Sequence, residues 1–392
     1  MFKQFLAVTA MNLQTLPQRL GASSVIVIGI AGVVAVLVSV LAMGVGFRHT
    51  LADSGRADRA IILRGGSDAE LNSNLTREEI DIISNAPGIA KDAQGKALLS
   101  NELVTVANVP KMDTGTDANV TLRGVGAKLL EVRPELKIVS GRMFQPAVRE
   151  LIAGLGATKQ FRGLAVGSTL HLRNADWTVT GIFTSNGDVH ESELLADVDT
   201  VGSAIERSGY SSAIGLLDNA AAFGGFKDSL TTDPRLKVDV QRETDYYAEQ
   251  SKGLAKTINI VGNTVAIIMA IGAMFGALNS MYSAVAARSL EIATLRAIGF
   301  GGLPIVLSVM IEALALSLLG GIIGASLAWL FFNGHTVSTL GGAFAQVVFQ
   351  LTVTRALIVT GIIWACLIGL LGGFFPALRA ARLPVVEALR AG

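Results

Sequence analysis

Four stretches of this chain are too long and too apolar to be covered by an ordinary soluble core. Ala22 to Val45, Ile258 to Ala287, Leu303 to Phe332 and Ala356 to Phe375 each supply the ~20 residues that cross ~30 Å of hydrocarbon at ~1.5 Å per residue. Within them only Glu312 is charged. The short flanks give a direction. Lys3, Arg19, Arg288, Arg296, Arg379, Arg382 and Arg390 all fall on one side, whereas Asn333 to Thr354 has no Lys or Arg, so that side is expected to be cytoplasmic. The expected plan is an α-helical membrane protein with four spans in a 1+3 arrangement and a large α+β extracytoplasmic domain between the first and second spans.

In residue numbers the plan reads as follows: 1–19 a surface amphipathic helix, 20–46 the first span, 47–250 the outer domain, 251–287 a stalk and second span, 288–302 a cytoplasmic hook, 303–332 the third span, 333–354 a short outer loop, 355–375 the fourth span and 376–392 a cytoplasmic tail. The first 19 residues carry Phe2, Phe5, Leu6, Leu13 and Leu16 at helical spacing until Pro17 breaks it, which suits a helix lying on a membrane surface. A cleavable leader is the rival, but the next apolar run exceeds its ~7–15 residues, so the first span is expected to be retained.

The hook, Arg288 to Phe300, is too charged to be a span. On a helical wheel Leu290, Ala293 and Ala297 share one side and Ile292, Leu295 and Ile298 the other, with Arg288, Glu291, Thr294 and Arg296 between them. A helix apolar on two sides wants two partners, its own bundle and a second protein. Gly299 is placed to end it in a left-handed turn, and Pro304 to open the next helix.

The 47–250 insert reads as a soluble α+β module in two parts. Strands are expected at Ala60 to Leu63, Leu103 to Val109, Val120 to Val125, Leu136 to Val139, Leu151 to Ala153, Ser212 to Leu217 and Leu236 to Gln241. Thr169 to Arg173 and Trp177 to Phe183 form a hairpin across Asn174-Ala175-Asp176, and Glu191 to Arg207 reads as helix-rich. Thr76 with Glu79 makes a capping box that opens a helix to about Asn85. From Glu243 the pattern is helical, with no decisive break before the second span.

The composition, 51% hydrophobic, 16% charged and net charge +1, speaks against nucleic acid as a partner. The lone Cys366 allows no disulfide framework. The P-loop GxxxxGK[ST], the elbow GxSxG and the zinc motif HExxH are all missing from the sequence. Gly154-Leu155-Gly156 lacks the third glycine of a dinucleotide loop, and the four histidines have no ligand spacing. The expectations are therefore no enzyme activity in this chain, no cofactor and no metal, with the histidines solvated or locally bonded and His190-Glu191-Ser192-Glu193 a polar loop. Glu312 is a functional candidate as an ionisable group within a span, or else a bond across a helix interface or to the hook. Gly272/Gly276, Gly320/Gly324 and Gly369/Gly373 have the spacing of close helix packing. The tail Pro376 to Arg390 alternates basic and apolar residues, giving Arg379, Arg382 and Arg390 as a second docking surface.

The chain order, the hook RSLEIATLRAIGF and the tail PALRAARLPVVEALR together resemble the FtsX-like permeases of ABC transporters, of the MacB type in particular. The segments LRGVGAKLL, VSGRMF, ELIAGLGATKQF, VGSTLHLR and WTVTGIF are similar to the periplasmic core domain of that group, and VSVLAMGVGF is faintly like its lipoprotein-releasing members. The resemblance implies that Arg288, Glu291, Ile292, Leu295, Arg296 and Gly299 form a coupling helix received by an ATPase, expected as a separate polypeptide in two copies. It implies a second permease, most simply an identical one, and the inner membrane, with both termini cytoplasmic. An adaptor, an outer-membrane channel and membrane lipids are further expected partners. Export of a hydrophobic, peptide or lipid cargo by mechanotransmission is the first expectation. Its alternative is a signalling subunit that activates an outer enzyme such as a cell-wall hydrolase.

Overall fold

The computed structural model describes residues 20–172, 175–340 and 345–384; the amphipathic helix expected at 1–19 and Arg390 lie outside them. In chain order the elements are α1 (Leu20–Ala52), β1 (Arg59–Arg64), α2 (Arg77–Ser84), β2 (Leu99–Pro110), β3 (Asp117–Val125), α3 (Leu129–Val132), β4 (Lys137–Gly141), β5 (Glu150–Gly154), α4 (Leu155–Gln160), β6 (Thr169–Leu172) and β7 (Ala175–Thr184). They continue with β8 (Leu194–Asp197), α5 (Val198–Ala204), β9 (Ser212–Leu216), α6 (Phe223–Thr231), β10 (Val238–Arg242), α7 (Glu243–Ala287), α8 (Ser289–Ala297), α9 (Gly302–Phe332), β11 (Thr336–Leu340), β12 (Gln346–Gln350) and α10 (Arg355–Ala381). The contacts divide into two compact units. One holds residues 46–255 with 336–350, and the other holds the helical remainder.

The first unit is built on a ten-stranded sheet, ordered β10-β1-β9-β2-β3-β8-β5-β7-β4, with β6 on β7. Strand β2 joins its halves. Leu99 to Glu102 pair with β9, and Leu103 to Pro110 with β3. Trp177, Leu151, Val179, Leu122 and Phe226, each at most 3% exposed, belong to the main core. The capping box forms as expected, with the Glu79 amide donating to Thr76 Oγ1 and the Thr76 amide to Glu79 Oε2.

Three local expectations change. Leu194, Leu195 and Ala196 are buried on both faces, and a run covered all round has no helical period, so Glu191 to Arg207 passes from a short 3-10 turn (Val189–Ser192) into strand β8, parallel to β3, before α5 starts. Strand β7 starts two residues earlier than expected, at Ala175, which pairs with Leu172. The 333–354 loop contains the β11–β12 hairpin, which joins the sheet unit: Val348 donates its amide to Ser192 Oγ, and the Phe349 ring meets Phe47 edge-on at 5.6 Å.

In the second unit, α1, α7, α9 and α10 are the four helices long and apolar enough to cross a membrane among the described residues. Two of the three glycine pairs lie at contacts. A Cβ on Gly324 would fall 2.4 Å from the Ala31 carbonyl oxygen, and one on Gly369 2.2 Å from Ser317 Oγ. Nothing lies within 4 Å at Gly272 or Gly276. Pro376 does not end α10, which continues to Ala381, because Pro376, Ala377 and Ala380 are packed inside the bundle and offset the lost hydrogen bond.

Candidate coupling site

The helical unit holds the hook as a helix of its own. Arg288 interrupts the helical path between α7 and α8, with φ −107° and ψ 12°. At the far end Gly299 takes φ +97°; its amide donates to the Arg296 carbonyl and the Phe300 amide to that of Leu295, a closed left-handed cap. Pro304 is the third residue of α9 rather than the first, still within the turn whose amides have no intrahelical partner.

One side of α8 is covered and one is open. Ile292 and Ala293 are buried and Leu295 and Arg296 half-buried, whereas Leu290 (47%), Ile298 (69%), Glu291, Thr294 and Ala297 are exposed. Each apolar side read from the wheel is thus split, since the boundary runs through it: Ala293 turns in while Leu290 and Ala297 stay out, and Ile298 stays out while Ile292 and Leu295 turn in. Arg288 is buried, its Nη1 2.9 Å from Glu312 Oε2, and Glu312 is 4% exposed. Glu312 therefore bonds to the residue that opens the hook. Arg296 Nη1 donates to the carbonyls of Ala381 and Leu383. The exposed Arg379 lies 5.5 Å from the Tyr282 ring centroid, and Arg382 is the exposed cap of α10. A cavity of about 20 Å³, room for one water, lies under α8 beside Arg288 and Glu312.

The sheet unit holds a constellation that the sequence reading missed. Arg123 on β3, 3% exposed, bonds three carboxylates at once: Glu70 and Glu193 through two hydrogen bonds each and Glu102 through one, all between 2.7 and 3.0 Å. His190 Nδ1 is 3.0 Å from Glu193 Oε2, and its Nε2 is 3.2 Å from the Tyr247 hydroxyl. Glu243, the first residue of α7, lies 2.6 Å from Arg59 Nε and 2.7 Å from Arg133 Nη2 and accepts the Arg56 amide. His190 and Glu193 are buried as members of this cluster, and Ser192 is buried where its hydroxyl accepts the Val348 amide, so the polar loop is locally bonded. Burial alone would raise the carboxyls of Glu70 and Glu193, but the Arg123 charge outweighs it and holds both below their ordinary values. Burial wins at Asp188, which is raised. The signal available in the sequence was Arg123 itself, a cation inside the apolar strand Val120 to Val125.

A sheet module inserted between the first two of four long apolar helices, with a capped helix joining the second to the third, defines a protein of the helical membrane class. Residues 23–232 match the MacB-like periplasmic core domain and residues 263–385 the FtsX-like permease C-terminal domain. The chain belongs to the family of MacB/FtsX-type ABC transporter permeases. It is 27% identical to the macrolide export ATP-binding/permease protein MacB of Psychrobacter cryohalolentis, over 98% of this chain and 58% of that one. Against MacB of Hahella chejuensis the identity is 25%, over 98% and 59%. The chain thus spans less than two thirds of the length of these relatives. The solved periplasmic region of MacB from Actinobacillus actinomycetemcomitans aligns at 16% identity and TM-score 0.35, covering 51% of this chain and 92% of that one.

Proposed function

We propose that this chain is the permease component of an ABC transporter in the inner membrane, with both termini cytoplasmic, and that it couples ATP hydrolysis in a partner ATPase to movement of its outer module. The observation that carries this reading is the exposed side of α8, where Leu290 and Ile298 flank Glu291 and Thr294 on a short helix with a closed C-terminal cap. Apolar side chains around a charge suit a cleft in a soluble partner. The ATPase is a separate polypeptide in two copies, and two permeases pair over it. Arg379 and Arg382 add a smaller docking surface.

Mechanotransmission is favoured over passage of a solute through the spans. The one acid within them, Glu312, is already bonded to Arg288, which leaves little to line a hydrophilic path. The relatives' macrolide export supports a hydrophobic or amphipathic cargo, of peptide or lipid type, taken up on the outer side and passed on with an adaptor and an outer-membrane channel.

The test pairs topology with capture. In a Cys366→Ser background, a cysteine at the exposed Met112 should react with an impermeant maleimide on intact spheroplasts, and one at Leu290 only after permeabilisation. Glu291→Lys should lose the partner ATPase on co-purification. Labelling of both sites from outside, or undiminished capture by Glu291→Lys, would overturn the reading.

A further inference from the structure

Two basic residues of the hook do not belong to its exposed side. Arg288 is 5% exposed and ends on Glu312 of α9. Arg296 reaches the carbonyls of Ala381 at 2.7 Å and Leu383 at 3.0 Å, where α10 ends. The hook is fastened at its front to α9 and at its rear to α10, both times by a directional, charge-assisted bond. An apolar contact slides with a change of rotamer, but a buried guanidinium that leaves its carboxylate strands two charges in a medium of low dielectric constant. Displacement of the hook is therefore passed into the two helices instead of being absorbed at the bend.

We propose that Arg288, Arg296 and Glu312 are positioning residues that lock the hook to α9 and α10 as one rigid lever, while contact with the partner falls to Leu290, Glu291, Thr294 and Ile298. This assignment rests on the docking role proposed above and divides that surface in two. Arg288 and Arg296, grouped by the sequence with the docking residues, act from behind it.

The full chain in nanodiscs, with the partner ATPase, allows the test. Nitroxides at Ala297 and Phe331, both exposed, report in a Cys366→Ala background whether hook and α9 move together. Replacing the buried pair by apolar groups, Arg288→Met with Glu312→Leu, is compatible with folding. This double variant should bind the ATPase within about threefold of the parent, less than half a decade in affinity. Its Ala297–Phe331 distance, single and unmoved by vanadate-trapped ATP in the parent, should broaden on trapping. The charge exchange Arg288→Glu with Glu312→Arg should restore the single distance. An unbroadened distance in the apolar variant, a loss of binding beyond threefold, or a charge exchange that stays broad would each overturn the proposal. Leu290→Glu with Ile298→Glu separates the two readings: unchanged ATPase binding there refutes docking through α8, whereas the distance measurement still decides the lock.

Discussion

Replacing Arg123 by Met removes the cation that three carboxylates share and keeps much of the side-chain volume. Five hydrogen bonds disappear, and the side chains of Glu70, Glu102 and Glu193 are left 8%, 0% and 6% exposed. Breaking a buried pair by deleting one partner costs about 3–5 kcal/mol, because the other charge is stranded. Proton uptake limits the cost per carboxylate. Neutralising at pH 7 a group whose ordinary value is 4.5 takes about 3.4 kcal/mol, at ~1.36 kcal/mol per unit. Glu193 keeps His190 and Glu102 keeps Arg133 at 3.9 Å, while Glu70 keeps the Ser212 hydroxyl. A loss of about 4 kcal/mol at pH 7 is expected, set chiefly by Glu70. The pH dependence then changes sign. In the parent, Glu70 and Glu193 are held low, so their contribution is fully present above their ordinary value of 4.5 and is lost as pH falls through the depressed values. In the variant a stranded carboxyl titrates high, so stability is lost as pH rises. The deficit should shrink by up to about 2.7 kcal/mol per stranded carboxylate between pH 7 and pH 5. Hydrogen exchange of the β3 and β9 amides in the full chain, corrected for intrinsic rates, measures both. A deficit below about 1 kcal/mol at pH 7, no more than an average substitution gives, refutes the reasoning, and so does a deficit that is equal at pH 5.

Three further outcomes are expected. Gly369→Val pushes α10 off Ser317 and Ala313 and should cost about 1–3 kcal/mol or more, read as a lower melting temperature in detergent, while Gly276→Ala, with open space around it, should lose nothing. Phe349→Ala empties a site that is 2% exposed, and a loss of about 3–5 kcal/mol should appear as faster exchange in the sheet unit, although this residue lies in the loop between the last two spans. Thr76→Ala removes one half of the capping box at a cost of about 1 kcal/mol, confined to exchange of the first amides of α2.

What the sequence disclosed follows a physical divide. The long apolar helices, the Thr76 capping box and the Gly299 turn are local, each set by residues within a few positions, and all appear where the pattern put them. The β8 strand was misread because Leu194 to Ala196 owe their conformation to β3 and β5 on either side. The charge cluster was missed for the same reason. Glu70, Glu102, Arg123 and Glu193 are spread over more than 120 residues, and although Arg123 stands out inside an apolar strand, each glutamate looks like a surface charge until the sheet brings them together. In the hook the wheel gave two apolar sides but not that the covered boundary cuts through both, since Arg288 turns inward only because Glu312 waits on α9.

The long helix α7 begins in the sheet unit and ends at the hook, and its two ends are built alike. It has 45 residues. Glu243, the first, is fully buried against Arg59 and Arg133; Arg288, next after the last, is buried against Glu312. Between them Ile260, Val261, Ile268, Ile271 and Phe275 are exposed, while Ala266, Ala270, Ala277 and Met281 pack inside the helical unit. Buried ion pairs are a poor source of stability, since apolar replacements of similar volume are often neutral or better by about 1–4 kcal/mol. Stability alone therefore does not account for placing one at each end of the helix. Such pairs do supply a resistance to shear that greasy contacts lack, because any displacement strands a charge. At each of its ends, then, α7 is held within its own unit by a bond that resists displacement, and that is the property a coupling element needs there.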